Sequence, residues 1–169
     1  MKSAFVRSAA ILPLLMFAPA ACGDPSGPGL PKGVAITPSR SVFPIDREAG
    51  HWRVNVTGVI RNDSDRTIFH QYCAETISRR DHDGRWTIVW SPVCPAIYVA
   101  PAPIAPGESR EFSVHVFQTS SLSVAFPLQP NDVYRVGFGL AVRVGPPGSE
   151  GFEPIRSSQS VSRTFTVTQ

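Results

Sequence analysis

The chain has 169 residues, with 16 Lys and Arg against 13 Asp and Glu and a formal net charge of +3. That length holds one domain with a real core. No face is obviously basic, so nucleic acid is not implied as a partner, and no helical periodicity extends past about ten residues, which argues against helical and α/β folds.

Residues 1–21 read as an export signal. Lys2 and Arg7 make a short basic start, and Ala9 to Phe17 is an apolar run of signal length, too short to cross a bilayer. Small residues, Ala20-Ala21, then precede Cys22. This arrangement resembles the lipobox of bacterial lipoproteins. The resemblance implies cleavage before Cys22, a diacylglyceryl group on its sulfur, and commonly an acyl group on its new amino terminus. Pro19 departs from the family, which usually has an aliphatic residue there. An ordinary secretory signal cut near Ala21 is the alternative reading. Two or three acyl chains anchor far better than one, because each buried methylene contributes about 0.8 kcal/mol. The implied partner is therefore a membrane. Gly23 is not the inner-membrane retention aspartate of the enterobacterial rule, although Asp24 follows it, so the outer membrane is expected over the inner. Removing Lys2 and Arg7 with the signal leaves 14 basic residues against 13 acidic ones, and 148 of the 169 residues remain. The mature protein is then close to neutral.

From Cys22 to Gly33 the chain is dense in Pro and Gly and reads as a semi-extended tether, which places the folded domain at 34–169. Val34 to Thr37 and Ser41 to Phe43, interrupted by Pro38 and closed by Pro44, fit a split edge strand. His51 to Arg61 alternates: Trp52, Val54, Val56 and Ile60 share one parity, and Arg53, Asn55, Thr57 and Arg61 the other. That pattern predicts a strand with one buried face, in which Gly58 marks a thin spot or a bulge. Asn62-Asp63-Ser64-Asp65 reads as a tight turn, and extended residues resume at Arg66, so a hairpin is expected.

A second turn, Asp81-His82-Asp83-Gly84, precedes Arg85 to Trp90. Trp86, Ile88 and Trp90 share a parity there, as expected of a core or a cross-strand cluster; a binding platform is the alternative. Cys73 and Cys94 flank this hairpin. In an exported protein they can oxidise to each other, and with Cys22 taken as the anchor they are the remaining pair. Closing a loop of about 20 residues contributes roughly 3 kcal/mol, mostly by restricting the unfolded chain.

Prolines 101, 103 and 106 exclude a central strand in that segment. Ser109 to Gln118 alternates again, with Phe112, Val114 and Val116 on one parity. Phe126 and Leu128, in the long connection 119–132, are expected to fold back on the core edge. Val133 to Val144 reads as one strand with Tyr134, Val136, Phe138, Leu140 and Val142 on its apolar face. Gly145 to Pro154 is turn-rich, and Ser160 to Gln169 closes the chain as a strand carrying Val161, Phe165 and Val167.

A succession of features resembles the immunoglobulin-like sandwich of bacterial exported proteins. They are Val56 to Asn62 with Asp63-Ser64-Asp65, the Asp83-Gly84 hairpin, Trp86 and Trp90, Ala105-Pro106-Gly107-Glu108-Ser109, and Tyr134-Arg135. Over residues 34 to 168 the chain is also loosely similar to the intracellular proteinase inhibitor-like domain of bacilli, from which the two cysteines and the lipid signal depart. Tyr134, near the start of a late strand, resembles the tyrosine corner of such sandwiches, which implies a hydroxyl bonded back to the preceding connection. These signatures speak for fold more than for activity.

The expectation is an all-β, immunoglobulin-like antiparallel β-sandwich of about seven to nine strands. Its expected role is a non-enzymatic, lipid-anchored cell-envelope module that binds or supports something, with no cofactor and no metal. The loop 145–154 is the candidate partner contact, through Pro146, Pro147 and Phe152. Two other classes stay open. A protease inhibitor would present the Pro-rich 101–107 segment as a rigid loop. A hydrolase or metal carrier would need His70, His82 or His115 to converge with carboxylates. The adjacent Asp81, His82 and Asp83 read instead as a solvated turn, and an oxidised cysteine pair cannot ligate zinc.

Overall fold

Strict alternation over more than ten residues is the strongest organising signal in this chain, and it becomes the longest strand of the computed structural model. The structure describes residues 29–48, 50–97, 99–119, 127–145 and 151–169. Among them run β1 (Val34–Pro38), β2 (Val42–Pro44), β3 (Asp46–Glu48), β4 (His51–Asn62), β5 (Ile68–His70), β6 (Thr76–Arg80) and β7 (Trp86–Trp90). These are followed by β8 (Ala102–Ile104), β9 (Ser109–Thr119), β10 (Val133–Gly137), β11 (Leu140–Val144), β12 (Gly151–Pro154) and β13 (Phe165–Thr168). The fold is all-β and fits a β-sandwich. Thirteen described strands exceed the expected seven to nine, because several long extended runs are broken where the chain passes from one sheet to another.

One layer is built on β4, which pairs antiparallel with β1 and β3 on one side and along most of its length with β9 on the other. The other strands form a five-stranded sheet in the order β2-β13-β10-β6-β7 and a four-stranded sheet in the order β12-β11-β5-β8. Inward residues of all three sheets join one core that includes Val54, Val56, Ile60, Val114, Val116, Ile77, Val136, Leu140 and Val142. The split edge strand is present: β1 borders the first sheet, and β2 borders the second in parallel with β13. The folded region reaches back to Leu30, inside the stretch read as tether. Leu30 packs on the core, its amide donates to Gln159 Oε1 at 2.8 Å, and the Gly33 carbonyl accepts from the Asp63 amide.

The parity of β4 is as expected, with Val54, Val56 and Ile60 buried. Gly58 is a thin spot and not a bulge. A Cβ there would lie 2.4 Å from Phe112 Cζ and from the Thr37 carbonyl oxygen, so the glycine lets the Phe112 ring cross the sheet surface. The expected hairpin between β4 and Arg66–Phe69 does not form: β5 pairs with β11 and β8 in another sheet. Asn62 explains this. Its side chain is fully buried at the end of β4, where Nδ2 donates to the Arg66 and Ile104 carbonyls at 2.8 Å each and Oδ1 accepts from the amide and hydroxyl of Ser64. The turn residues therefore carry the chain across the sandwich instead of folding it back.

Val133–Val144 is likewise two strands and not one. All five residues of its apolar parity are buried, yet β10 belongs to the second sheet and β11 to the third. The break falls at Phe138-Gly139, where Phe138 N donates to the Ser160 carbonyl and Gly139 N to the Ala74 carbonyl. A Cβ on Gly139 would lie 2.5 Å from that of Ala74, so only glycine lets the two segments cross this closely. The last strand is shorter than expected. It spans Phe165–Thr168, with Phe165 and Val167 buried, and Val161 sits in an isolated bridge to Gly137. Leu128 joins the core as expected, while Phe126 lies outside the described residues. Tyr134 behaves as a tyrosine corner: its buried hydroxyl donates to the Gln129 carbonyl at 3.0 Å and accepts from the Gln129 amide.

Candidate functional site

The β6–β7 hairpin forms as the Asp-Gly signal predicts. Gly84 takes φ +78°, its amide donates to the Asp81 carbonyl at 2.9 Å, and Thr87 Oγ1 donates to Asp81 Oδ2 at 2.8 Å. A register shift between Ile77 and Ser78 then sets which residues of the hairpin face outward. Ser78 is opposite Ile88 and Arg80 opposite Trp86, while on the other side Ser78 is opposite Arg135 and Thr76 opposite Gly137. Ile77 is the inward residue. Trp86 and Ile88 thus stand on the outer face, with Ile88 62% exposed, and they do not enter the core; Trp90 packs partly against it.

On this outer face lies an open groove of about 430 Å³. Its floor is Thr76, Ser78, Arg135 and Gly137; Trp86 and Ile88 form one wall, and residues 154–161, with Ser157 and Ser158, form the other. The Arg135 guanidinium lies over the Trp86 ring, 4.3 Å from its centre. Its Nε is buried and has no hydrogen-bond partner among the described residues. Burial pushes the Arg135 value down, but a guanidinium starts so far above neutrality that it remains a cation. No carboxylate is among the lining residues. Gly137 keeps the floor low, since a Cβ there would lie 2.6 Å from Thr76 Oγ1.

The residues singled out from sequence are placed as follows. Cys73 and Cys94 are disulfide-bonded, with their Cα atoms 5.7 Å apart, well inside the range a bridge requires. Cys22, Pro146 and Pro147 lie outside the described residues. Phe152 is described and is not a loop residue: it sits in β12, opposite Arg143 of β11. It remains 45% exposed but is fixed edge-on against Phe69, with ring centres 4.8 Å apart, and the Arg143 guanidinium lies over both rings. The segment 101–107 is not a free-standing loop, because Ala102–Ile104 pairs with β5, Ile104 is buried, and Gly107 N donates to the Asn62 carbonyl.

The histidines do not converge. His70 ends β5, His82 is exposed in the hairpin turn, and His115 is on the outer side of β9, 3.1 Å from Ser113 Oγ. Among the described residues no group of three or more His, Cys, Asp or Glu side chains is placed to hold a metal. Sequence reasoning missed one pair: His70 Nε2 lies 3.2 Å from Glu75 Oε1, with both side chains largely buried beside the disulfide segment. Nε2 has no partner with hydrogen-bond geometry among the described residues, so this is a close contact more than an aligned bond.

Burial alone would push the Glu75 carboxyl up; His70 and the residue's own backbone amide outweigh it and hold the carboxyl below its ordinary value of 4.5. The folded value is therefore lower than the unfolded one. The pair's contribution is complete above the unfolded value and is lost as pH falls through the folded one. Glu75→Gln is expected to flatten the acid limb of stability below about pH 4.5, read as urea midpoints against pH. A limb identical to wild type would dismiss the pair as a source of acid sensitivity.

No protein-family model matches the chain, and neither does any curated protein. Solved structures that show distant likeness include the following two. One is the X-ray structure of Northeast Structural Genomics Consortium target SoR45, at 11% identity and a TM-score of 0.42, covering 76% of this chain and 85% of that one. The other is the crystal structure of the C-terminal domain of wzt, at 15% identity and a TM-score of 0.29, covering 85% and 76%. Neither likeness bears on the chemistry of the groove.

Proposed function

We propose that this chain is an exported, lipid-anchored envelope protein whose β-sandwich is a binding or structural module and not an enzyme. The observation that carries the reading is the Cys73–Cys94 bond. It accounts for two of the three cysteines and leaves Cys22 alone, after an apolar run and a pair of alanines. A structural disulfide fits an oxidising compartment outside the cytosol, and Cys22 in that setting matches the anchor position. The groove supports binding over catalysis: its described lining residues offer a cation, hydroxyls and an aromatic wall, but no imidazole or carboxylate for proton transfer.

The test is the chemical state of Cys22 in the full chain produced in a bacterial host. Wild type is expected in the membrane fraction, with an N-terminal peptide that begins at Cys22 and carries diacylglyceryl mass. Cys22→Ser is expected to lose that mass and leave the outer-membrane fraction. An unprocessed, unacylated chain in the cytosol would overturn the proposal. Cleavage after Ala21 that leaves a free Cys22 thiol would replace the anchor with plain secretion.

A further inference from the structure

The geometry points to the groove between β7 and the 154–161 segment as a binding site for a ring carboxylate, a single carboxylate carried on a six-membered ring. This deepens the proposed binding role and rests on it. The Trp86 ring holds the Arg135 guanidinium by a cation–π contact, an arrangement from which a guanidinium can fork its N–H donors onto an anion. Nε is half of such a fork, and it is buried without a partner among the described residues, a state whose cost an acceptor oxygen of a ligand would relieve.

The rest of the groove defines what the anion is attached to. Arg135 is the single charge among the described lining residues, which suits a monoanion better than a doubly charged phosphate. Ile88, largely exposed, and the Trp86 ring give an apolar wall against which one face of a ring can lie, whether an aromatic face or the C–H face of a sugar. Thr76, Ser78, Ser157 and Ser158 provide hydroxyls that donate or accept, as ring substituents require. The volume, about 430 Å³, lies in the range of small-molecule sites. Sugar acids and aromatic acids both present this chemistry.

Calorimetric titration of the full chain in detergent tests it, with glucuronate and 4-hydroxybenzoate as probes and their uncharged amides as controls. At least one acid is expected to bind saturably and at least tenfold more tightly than its own amide, and the probe that binds identifies the source. Arg135→Gln is expected to remove that preference, and Arg135→Lys to weaken binding at least fivefold, because an ammonium cannot fork. In wild-type protein the Arg135 Nε–H nuclear magnetic resonance is expected to shift on binding, a readout that does not depend on whether the variants fold. Equal affinity for acid and amide, no saturable binding of either acid at millimolar concentration, or an unmoved Arg135 resonance would overturn the site. Acylation of Cys22 does not enter the titration, so a failed titration and a failed anchor are separate results.

Discussion

Replacing Asn62 by alanine is expected to lower the unfolding free energy by about 3 kcal/mol, a large part of what a domain of this size has to lose. The residue is fully buried, and its amide group makes four hydrogen bonds: two donated to the Arg66 and Ile104 carbonyls and two accepted from Ser64. Alanine leaves the Ile104 carbonyl buried without its donor and opens a polar void. Each stranded group costs roughly 1–3 kcal/mol. The backbone of Asn62 is also engaged, its amide with the Glu108 carbonyl and its carbonyl with the Gly107 amide, so the stretches 62–66 and 104–108 are tied together at one residue. Asn62→Asp is nearly isosteric and should be worse at neutral pH, since it sets a carboxylate against two carbonyl oxygens. The folded-state pKa of the introduced carboxyl must then lie above the unfolded one, so this variant is tolerated in acid and loses stability as pH rises through the folded value. Urea denaturation of both variants near neutrality and in mild acid checks this. Unfolding free energies within about 0.5 kcal/mol of wild type, the size of an ordinary surface substitution, would show that the network is decorative.

The same residue shows where reading by sequence stops. Alternation in His51–Arg61 and Ser109–Gln118 gave the correct buried faces of β4 and β9, because a period of two is a local property that burial on one side imposes. The turn at 62–65 was legible as a turn, but its direction was not. That is fixed by Ile104, 42 residues further on, whose carbonyl the Asn62 side chain finds. Parity also says which residues share a face without saying which face is wet. Trp86 and Ile88 face outward because their neighbours across the pair are Arg80 and Ser78, a register that the bulge at Ile77/Ser78 decides. In Val133–Val144 the apolar period runs unbroken through a change of sheet, so the break at Gly139 was hidden by a pattern that is itself correct. The groove was the least visible feature, since its floor and two walls come from β6, β7, β10 and residues 154–161, which only the fold brings together. Tyr134 and the cysteine pair were legible because each is a distinctive chemistry with few partners to choose from.

Removing the disulfide, as Cys73→Ala with Cys94→Ala, is expected to cost about 3 kcal/mol. The bridge spans 21 residues and closes the base of the β6–β7 hairpin, so its main effect is on the freedom of the unfolded chain, and the packing of the folded state is little changed. A second effect is local. β7 lies at the edge of its sheet and pairs only with β6 among the described strands, with Ile88 turned to water. Without the clasp, the segment after Trp90 has nothing covalent to hold it, and the edge should open before the rest of the sandwich. Amides of β7 should then lose exchange protection more than those of β4, which is flanked along its length by β9. Cys73 itself sits at φ 60°, a backbone region that side chains other than glycine or asparagine adopt at a cost of about 1–2 kcal/mol. Cys73→Gly with Cys94→Ala is therefore expected to be the more stable double variant, by several tenths of a kcal/mol to about 1 kcal/mol once glycine's greater unfolded-state freedom is set against the relieved strain. Denaturation of the two variants beside reduced wild type separates the contributions. If the alanine pair matches oxidised wild type within about 0.5 kcal/mol, the loop-closure argument fails. If β7 and β4 exchange alike in the reduced protein, the hairpin is held by its packing and not by its sulfur.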